Sequence, residues 1–310
     1  MHSPSGGLLF YNIDLSDDAA MRHLFETHSF SLVINLAAQA GVRYSIDHPH
    51  TYIKSNIDGF LNILEGCRHS GVPRLIYASS SSVYGSNTKV PFCESDPVDH
   101  PVSLYAATKK SNELMAHVYS HLYGFETIGL RFFTVYGPWG RPDMSPFLFM
   151  DAILHDRPIK VFNNGDMYRD FTYIDDIIES ISRLIHTPLH SQDSPSPTSR
   201  ACSAGSPRRR KESVPSQEEA STVHSAPCTM HSVFNIGNSS PVRLLDYILT
   251  IEQLAGKEAI KEMLPMQPGD VYQTYADTSA LEAITGFRPQ TPLAEGLAKT
   301  LSWFRTYYHL

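Results

Sequence analysis

Cysteine is scarce in this chain. Four are spread over 310 residues, Cys67, Cys93, Cys202 and Cys228, with no close pair and no CxxC. That usage argues against a cysteine metal cluster and reads as reduced thiols of a cytoplasmic protein. Long apolar runs are also missing. None reaches membrane-spanning length, and the N-terminus lacks the basic-then-apolar pattern of a secretion signal. Positive charge is in deficit: a net charge of −7 argues against a nucleic-acid partner. No internal repeat is visible. What is present, 42% hydrophobic and 18% charged residues, is the composition of a soluble globular protein with room for a large core and two lobes.

The first half alternates strand and helix. Apolar runs predict strands at Leu8 to Ile13, Leu32 to Ala38, Arg74 to Ala78 and Thr127 to Phe133. Between them the pattern predicts a helix from about Ser16 to His28 with Ser16 as its cap, and a long helix carrying Tyr52, Ile53, Ile57, Phe60, Leu61, Leu64 and Cys67 that stops at Gly71. A further helix carries Tyr105 and Lys109 and runs on through Leu122. Such alternation implies an α/β architecture, a doubly wound parallel sheet with helices on both faces. Ligands of these sheets bind beyond the carboxyl ends of the strands. The Asn35-to-Gly41 turn, the serines after Ala78 and Thr134 all fall at that edge.

The second half is less regular and predicts a smaller α+β lobe. Helices are expected at Met144 to His155, at Ile177 to Ile185 with Asp175 or Asp176 as cap, and at Leu244 to Ala255, Ser279 to Thr285 and Leu293 to Tyr308. Strands are expected at Ile159 to Phe162 and Val233 to Gly237. Domain boundaries are accordingly placed at 1–135 and 136–310. The stretch at about 187–232 is rich in Ser, Pro and Thr and contains Arg208-Arg209-Arg210-Lys211. It is expected to be a disordered insertion, because it buries too little apolar surface to offset its chain entropy.

Chemistry concentrates in two short segments. Ser79-Ser80-Ser81-Ser82-Val83-Tyr84-Gly85 ends an apolar strand, and Tyr105-Ala106-Ala107-Thr108-Lys109 opens a helix. Tyr105 and Lys109 lie one turn apart on one face. A lysine ammonium beside a phenol is expected to lower its pKa and equip it as a general base, with a serine hydroxyl to relay the proton. By itself YxxxK is a weak signal among 16 tyrosines, and an amphipathic surface helix would show it too. The serine-rich strand end raises its weight. His117 and His121 have helical metal-ligand spacing, but the segment reads HVYSH without the glutamate of HExxH, and no metal is expected.

Together these blocks resemble the extended short-chain dehydrogenase/reductase family, and within it the UDP-glucuronate 4-epimerases. Further resembling blocks are Asn35 to Arg43, Arg131 to Pro138, Gly140 to Met144, Arg169 to Asp176, Val233 to Asn238 and Gln267 to Asp270. The resemblance implies a Rossmann-like sheet and resident NAD. It implies catalytic roles for Tyr105, Lys109, Ser80 and Ser82. Asp14, Leu15, Leu36, Ala37, Ala38, Ser55 and Phe132 would line the cofactor together with Tyr105 and Lys109. Thr134, Arg141, Arg169 and Asp270 would hold a UDP-sugar, the arginine fork suiting phosphate oxygens. A homodimer through the helices near Tyr52 and Tyr105 is also implied.

The implied reaction interconverts UDP-glucuronate and UDP-galacturonate through a 4-keto sugar. Ser81-Ser82-Val83 carries no Asp-Glu pair, which disfavours sugar dehydration. A UDP-glucuronate decarboxylase and another UDP-sugar epimerase remain alternatives. The family's glycine-rich loop has no counterpart before Leu8, where only Gly6-Gly7 precedes the strand. The resemblance therefore predicts a chain that starts near the family's third strand, with weakened NAD affinity and stability. An inactive homologue that binds a UDP-sugar or a full-length partner is the corresponding alternative.

Overall fold

The computed structural model describes residues 7–188, 230–267 and 270–310. In chain order come α1 (Asp18–Thr27), β1 (Val33–Asn35), α2 (Tyr44–Asp47) and α3 (Pro49–Tyr52). A π-helical turn (Ile53–Asp58) leads into α4 (Gly59–Ser70), followed by β2 (Arg74–Ser80), a 3-10 turn (Ser81–Tyr84), α5 (Leu104–Tyr123) and β3 (Glu126–Phe132). Next are β4 (Thr134–Tyr136), α6 (Ser145–Leu154), β5 (Ile159–Phe162), β6 (Tyr168–Tyr173) and α7 (Ile174–His186). The chain closes with β7 (His231–Ile236), β8 (Pro241–Arg243), α8 (Leu244–Ala255), β9 (Lys261–Leu264), α9 (Ser279–Thr285) and α10 (Leu293–Tyr308).

Strands β1, β2, β3 and β7 form a parallel sheet in that order. This is the expected α/β Rossmann-like architecture, and β7 brings the second half of the chain into it. Leu75, Ile76 and Tyr77 of β2 are buried, as befits a strand covered by helices on both faces. On one face α1 packs on α4, where Gly66 is required. A Cβ there would lie 2.4 Å from Cδ2 of Phe25. On the same side α5 is capped by Ser103, whose side chain accepts from the Ala106 amide, and ends at Gly124 in the left-handed region.

A second, mixed sheet, β4-β6-β8, and the β5-β9 pair build the smaller lobe. Its core is aromatic: Phe171 and Tyr247 stack with centroids 4.2 Å apart beneath Phe149 and Met150. Asp170 ties the lobes together. Its carboxylate accepts from the amides of Asn238, Ser239 and Ala276.

Several expectations are corrected. Residues from Leu8 to Ile13 form no strand, and Leu8 and Phe10 stand exposed. Their β-propensity has no neighbouring strand among the described residues to pair with. The strand at Leu32 to Ala38 shrinks to Val33–Asn35, paired on one side by β2, with Leu36 53% exposed. Asp17, not Ser16, caps α1, and Tyr173 precedes α7, so Asp176 is free to accept from the Gln290 and Thr291 amides. The long helix after Pro49 is broken by the π turn.

Most of the expected insertion, including Arg208 to Lys211, lies outside the described residues, as do Cys202 and Cys228. Strand β7 starts ahead of the expected Val233, because the β3–β7 ladder already pairs Thr127 with His231. Cys67 is a buried free thiol, but Cys93 is disulfide-bonded, against the expectation of four reduced thiols. No helix among the described residues is long and apolar enough to cross a membrane.

Candidate active site

Strand β2 delivers its serines at the carboxyl edge of the sheet. Ser79 points into the protein and donates to Oε1 of Glu113 at 2.7 Å. Glu113 in turn holds Arg131 through both carboxylate oxygens, each at 2.8 Å, so a buried ion pair underlies the strand end. Ser80 faces the other way. Its Oγ accepts from the Ser82 amide at 3.2 Å and from the Ser82 hydroxyl at 2.9 Å. The Ser80 hydroxyl is also near enough to the Tyr105 phenol to lower its pKa. Ser82 and Ser80 thus form a hydrogen-bonded hydroxyl pair beside Tyr105, which brings together the catalytic candidates that the sequence singled out.

Lys109 lies one turn along α5 from Tyr105. It is buried, its Nζ donates to the Ala78 carbonyl at 2.8 Å, and burial pushes its pKa down to about 8. Burial likewise holds Tyr105 above its ordinary pKa, while the Ser80 hydroxyl and the Arg141 charge pull it down. Arg141 is the cation that lowers the Tyr105 pKa, and burial outweighs it.

Arg141 comes from the other lobe, on the loop between β4 and α6. Its Nη2 lies 3.6 Å from the position a Cβ on Gly41 would take, and Gly41 itself has φ +109°. Tyr52 donates to the Gly41 carbonyl at 2.6 Å and sets its ring edge-on to Tyr105 at 6.0 Å. Farther along the cleft, Arg169 donates to the Tyr168 and Tyr272 carbonyls and feels the charges of Asp270 and Arg43. Arg43 reaches Asp270 at 3.2 Å and covers the Phe162 ring at 4.8 Å. Thr134, at the start of β4, is half-buried. Two arginines and one aspartate leave a net positive cleft suited to a diphosphate.

The model of the NAD dependent epimerase/dehydratase family matches residues 3–194. The chain belongs to this family. It is 50% identical over 299 residues to Protein CapI of Staphylococcus aureus, covering 96% of this chain and 83% of that protein. It is 45% identical over 304 residues to a probable UDP-glucuronate 4-epimerase of Rhizobium meliloti, covering 98% and 83%. Among solved structures, the UDP-glucuronic acid 4-epimerase of Bacillus cereus with UDP-glucuronic acid and NAD superposes with a TM-score of 0.75. It is 30% identical and covers 96% of this chain and 80% of that one.

This epimerase/dehydratase uses NAD, and its residues fit the nicotinamide-ribose end of that cofactor. Lys109 spends one of its three donors on Ala78, and exposed Leu36 and Ala37 with half-buried Ala38 flank the same strand end. Asn56, presented by the π turn, braces this stretch. It exchanges two hydrogen bonds with the Gln39 backbone and donates to Thr108 on α5. Ser55 lies half-buried on the same turn and Phe132 half-buried at the end of β3. Asp14 is exposed, caps a tight turn by accepting from Ser16, and lies 3.4 Å from Lys54, while Leu15 packs on Gly59.

The sequence reading missed Arg43, Asn56, Glu113 and Arg131. Arg43 and Arg131 stand inside blocks that carry the resemblance. Asn56 and Glu113 leave no spacing signal, since their partners are distant in the chain. No group of His, Cys, Asp or Glu among the described residues is arranged to hold a metal, and His117 packs edge-on against His231.

Proposed function

We propose that this chain is a UDP-glucuronate 4-epimerase, interconverting UDP-glucuronate and UDP-galacturonate. The observation that carries the reading is the hydrogen-bonded Ser80–Ser82 hydroxyl pair beside Tyr105, with the charge of Arg141, from the opposite lobe, acting on the same phenol. Bound NAD supplies a hydride acceptor and donor for C4 of the sugar. Tyr105 takes the C4 hydroxyl proton and returns it, and Ser80 and Ser82 carry the proton along their hydroxyls. Lys109 holds the nicotinamide ribose. Asp14, Leu15, Leu36, Ala37, Ala38, Ser55 and Phe132 line the cofactor.

Arg169, Asp270 and Arg43 hold the UDP, whose remote binding energy keeps the 4-keto sugar in place while it turns. Thr134 faces the sugar and Arg141 meets its carboxylate. That contact matters because the 4-keto intermediate is a β-keto acid, and an anchored carboxylate is kept from the orientation that expels carbon dioxide. The division at 1–135 and 136–310 then separates mainly cofactor from mainly sugar recognition, with β7 of the second part completing the first sheet. A second copy fits the exposed apolar stripe of Leu114, Val118 and Leu122 on α5, continued by Leu61 on α4.

The test is incubation of the purified chain with UDP-glucuronate and NAD, with the products identified by NMR. UDP-galacturonate is expected, and Tyr105→Phe should cut its formation by about 10²–10⁴-fold while leaving substrate binding intact. Carbon dioxide and a UDP-pentose would identify a decarboxylase. Undiminished turnover in the Phe variant would remove the tyrosine from the mechanism.

A further inference from the structure

The Arg141 guanidinium has two faces on which a carboxylate can dock in bidentate fashion, Nε/Nη2 and Nη1/Nη2. Asp143 occupies the first. Nε donates to its Oδ1 at 3.0 Å and Nη2 to its Oδ2 at 2.5 Å. Among the described residues no other acceptor bonds Arg141, so the second face is open.

Three features make this pairing a built arrangement. Pro142 sits at the second position of a turn closed by the Met144 amide and the Arg141 carbonyl at 3.2 Å, which sets the two side chains side by side. Asp143 stands directly before the N-cap of α6 yet makes no cap bond to that helix; its carboxylate is spent on Arg141. The loop's entry is clamped as well. Trp139, at φ +62°, packs on Trp303 at 5.2 Å and on Tyr307 at 5.1 Å. The guanidinium is thereby held against side-chain-free Gly41, within electrostatic reach of Tyr105.

We propose that Asp143 is a positioning residue: it grips one edge of Arg141 and presents the other edge to the carboxylate of a hexuronate bound over Tyr105. This rests on the hexuronate reading above. In place of a mobile arginine that must be ordered at each binding event, the site offers a fork already aimed. Its side-chain entropy is spent before the substrate arrives. Asp143 is thus a determinant of selectivity for acidic over neutral sugars, without touching the sugar.

Calorimetric titration of UDP-glucuronate and UDP-glucose into the wild type, Asp143→Asn and Asp143→Glu separates the possibilities. The wild type is expected to favour UDP-glucuronate. Asp143→Asn should weaken UDP-glucuronate about fivefold and leave UDP-glucose unchanged, and Asp143→Glu should recover part of the loss. In turnover the Asn variant should raise KM with kcat kept within twofold. Equal weakening of both ligands would show a merely structural residue and overturn the proposal. Tighter UDP-glucuronate binding would overturn it too, since Asp143 would then be a competitor of the substrate. Preference for UDP-glucuronate that is identical in wild type and Asn variant defeats the positioning role alone. A wild type without any preference defeats the hexuronate reading itself.

Discussion

Replacing Glu113 by Gln removes one charge from the ion pair beneath the serines, and the structure fixes what should follow. Glu113 and Arg131 are each 3% exposed, joined by two 2.8 Å hydrogen bonds, and Glu113 also accepts from Ser79 at 2.7 Å. In the variant Arg131 keeps the Tyr84 hydroxyl at 3.0 Å and the Glu94 carbonyl at 3.4 Å, neither of which carries charge. Breaking a buried pair from one side costs about 3–5 kcal/mol, because the surviving charge stays desolvated. Urea unfolding of wild type and Glu113→Gln at pH 7 reads that loss directly. Replacing both partners together, Glu113→Leu with Arg131→Met, should cost less than Glu113→Gln alone, since the desolvated Arg131 charge is removed with its partner.

The pH dependence has a defined sign. Arg131 and Ser79 hold the Glu113 carboxyl below its ordinary value even against burial. Its contribution is therefore present above the unfolded value near 4.5 and disappears as pH falls through the lower folded value. A Gln variant within about 1 kcal/mol of wild type would refute the reasoning, placing the pair among those whose Coulombic gain only offsets desolvation.

Glu94 behaves oppositely. Burial raises it to about 7, so the native state binds its proton more tightly than the unfolded chain, and stability should fall as pH rises from about 4.5 to about 7. Glu94→Gln should flatten that slope in urea midpoints taken across the interval; parallel curves for the two proteins would contradict the assignment. Gly66→Ala places a methyl group 2.4 Å from Phe25 between α1 and α4. Overpacking of about 1–3 kcal/mol should outweigh the helix-propensity gain of about 1 kcal/mol, and a denaturation midpoint at or above wild type would show that Phe25 can move aside.

Local pattern was a good guide wherever the cause of structure is local. Helices α9 and α10 occupy Ser279–Thr285 and Leu293–Tyr308, as apolar periodicity predicts. Gly71 and Gly124 end their helices in the left-handed region because no Cβ opposes it. Non-local causes were illegible. Leu8 to Ile13 has the composition of a strand, but pairing depends on a neighbour that composition does not name. Cys93 gave no sign of its disulfide. At the site, the Tyr105–Lys109 spacing could be read, whereas the Ala78 carbonyl that engages Lys109 lies 31 residues away. The sign of the Tyr105 shift followed from burial, which appears only once both lobes are in place. Arg43 and Asp270, 227 residues apart, meet only across the cleft.

The π turn at Ile53–Asp58 joins two ends of one helical run. Tyr52 meets the cleft while Phe60, Ile63 and Leu64, on the same run of helix, lock into the core. A π turn spends one residue more than the α turn it replaces, so removing one of its residues lets the run close as plain α-helix with Tyr52 and the Phe60, Ile63 and Leu64 face still in phase. What such a deletion takes away is the presentation of Asn56, which bonds Gln39 and Thr108 from this turn. The surplus position therefore serves the cleft and not the core.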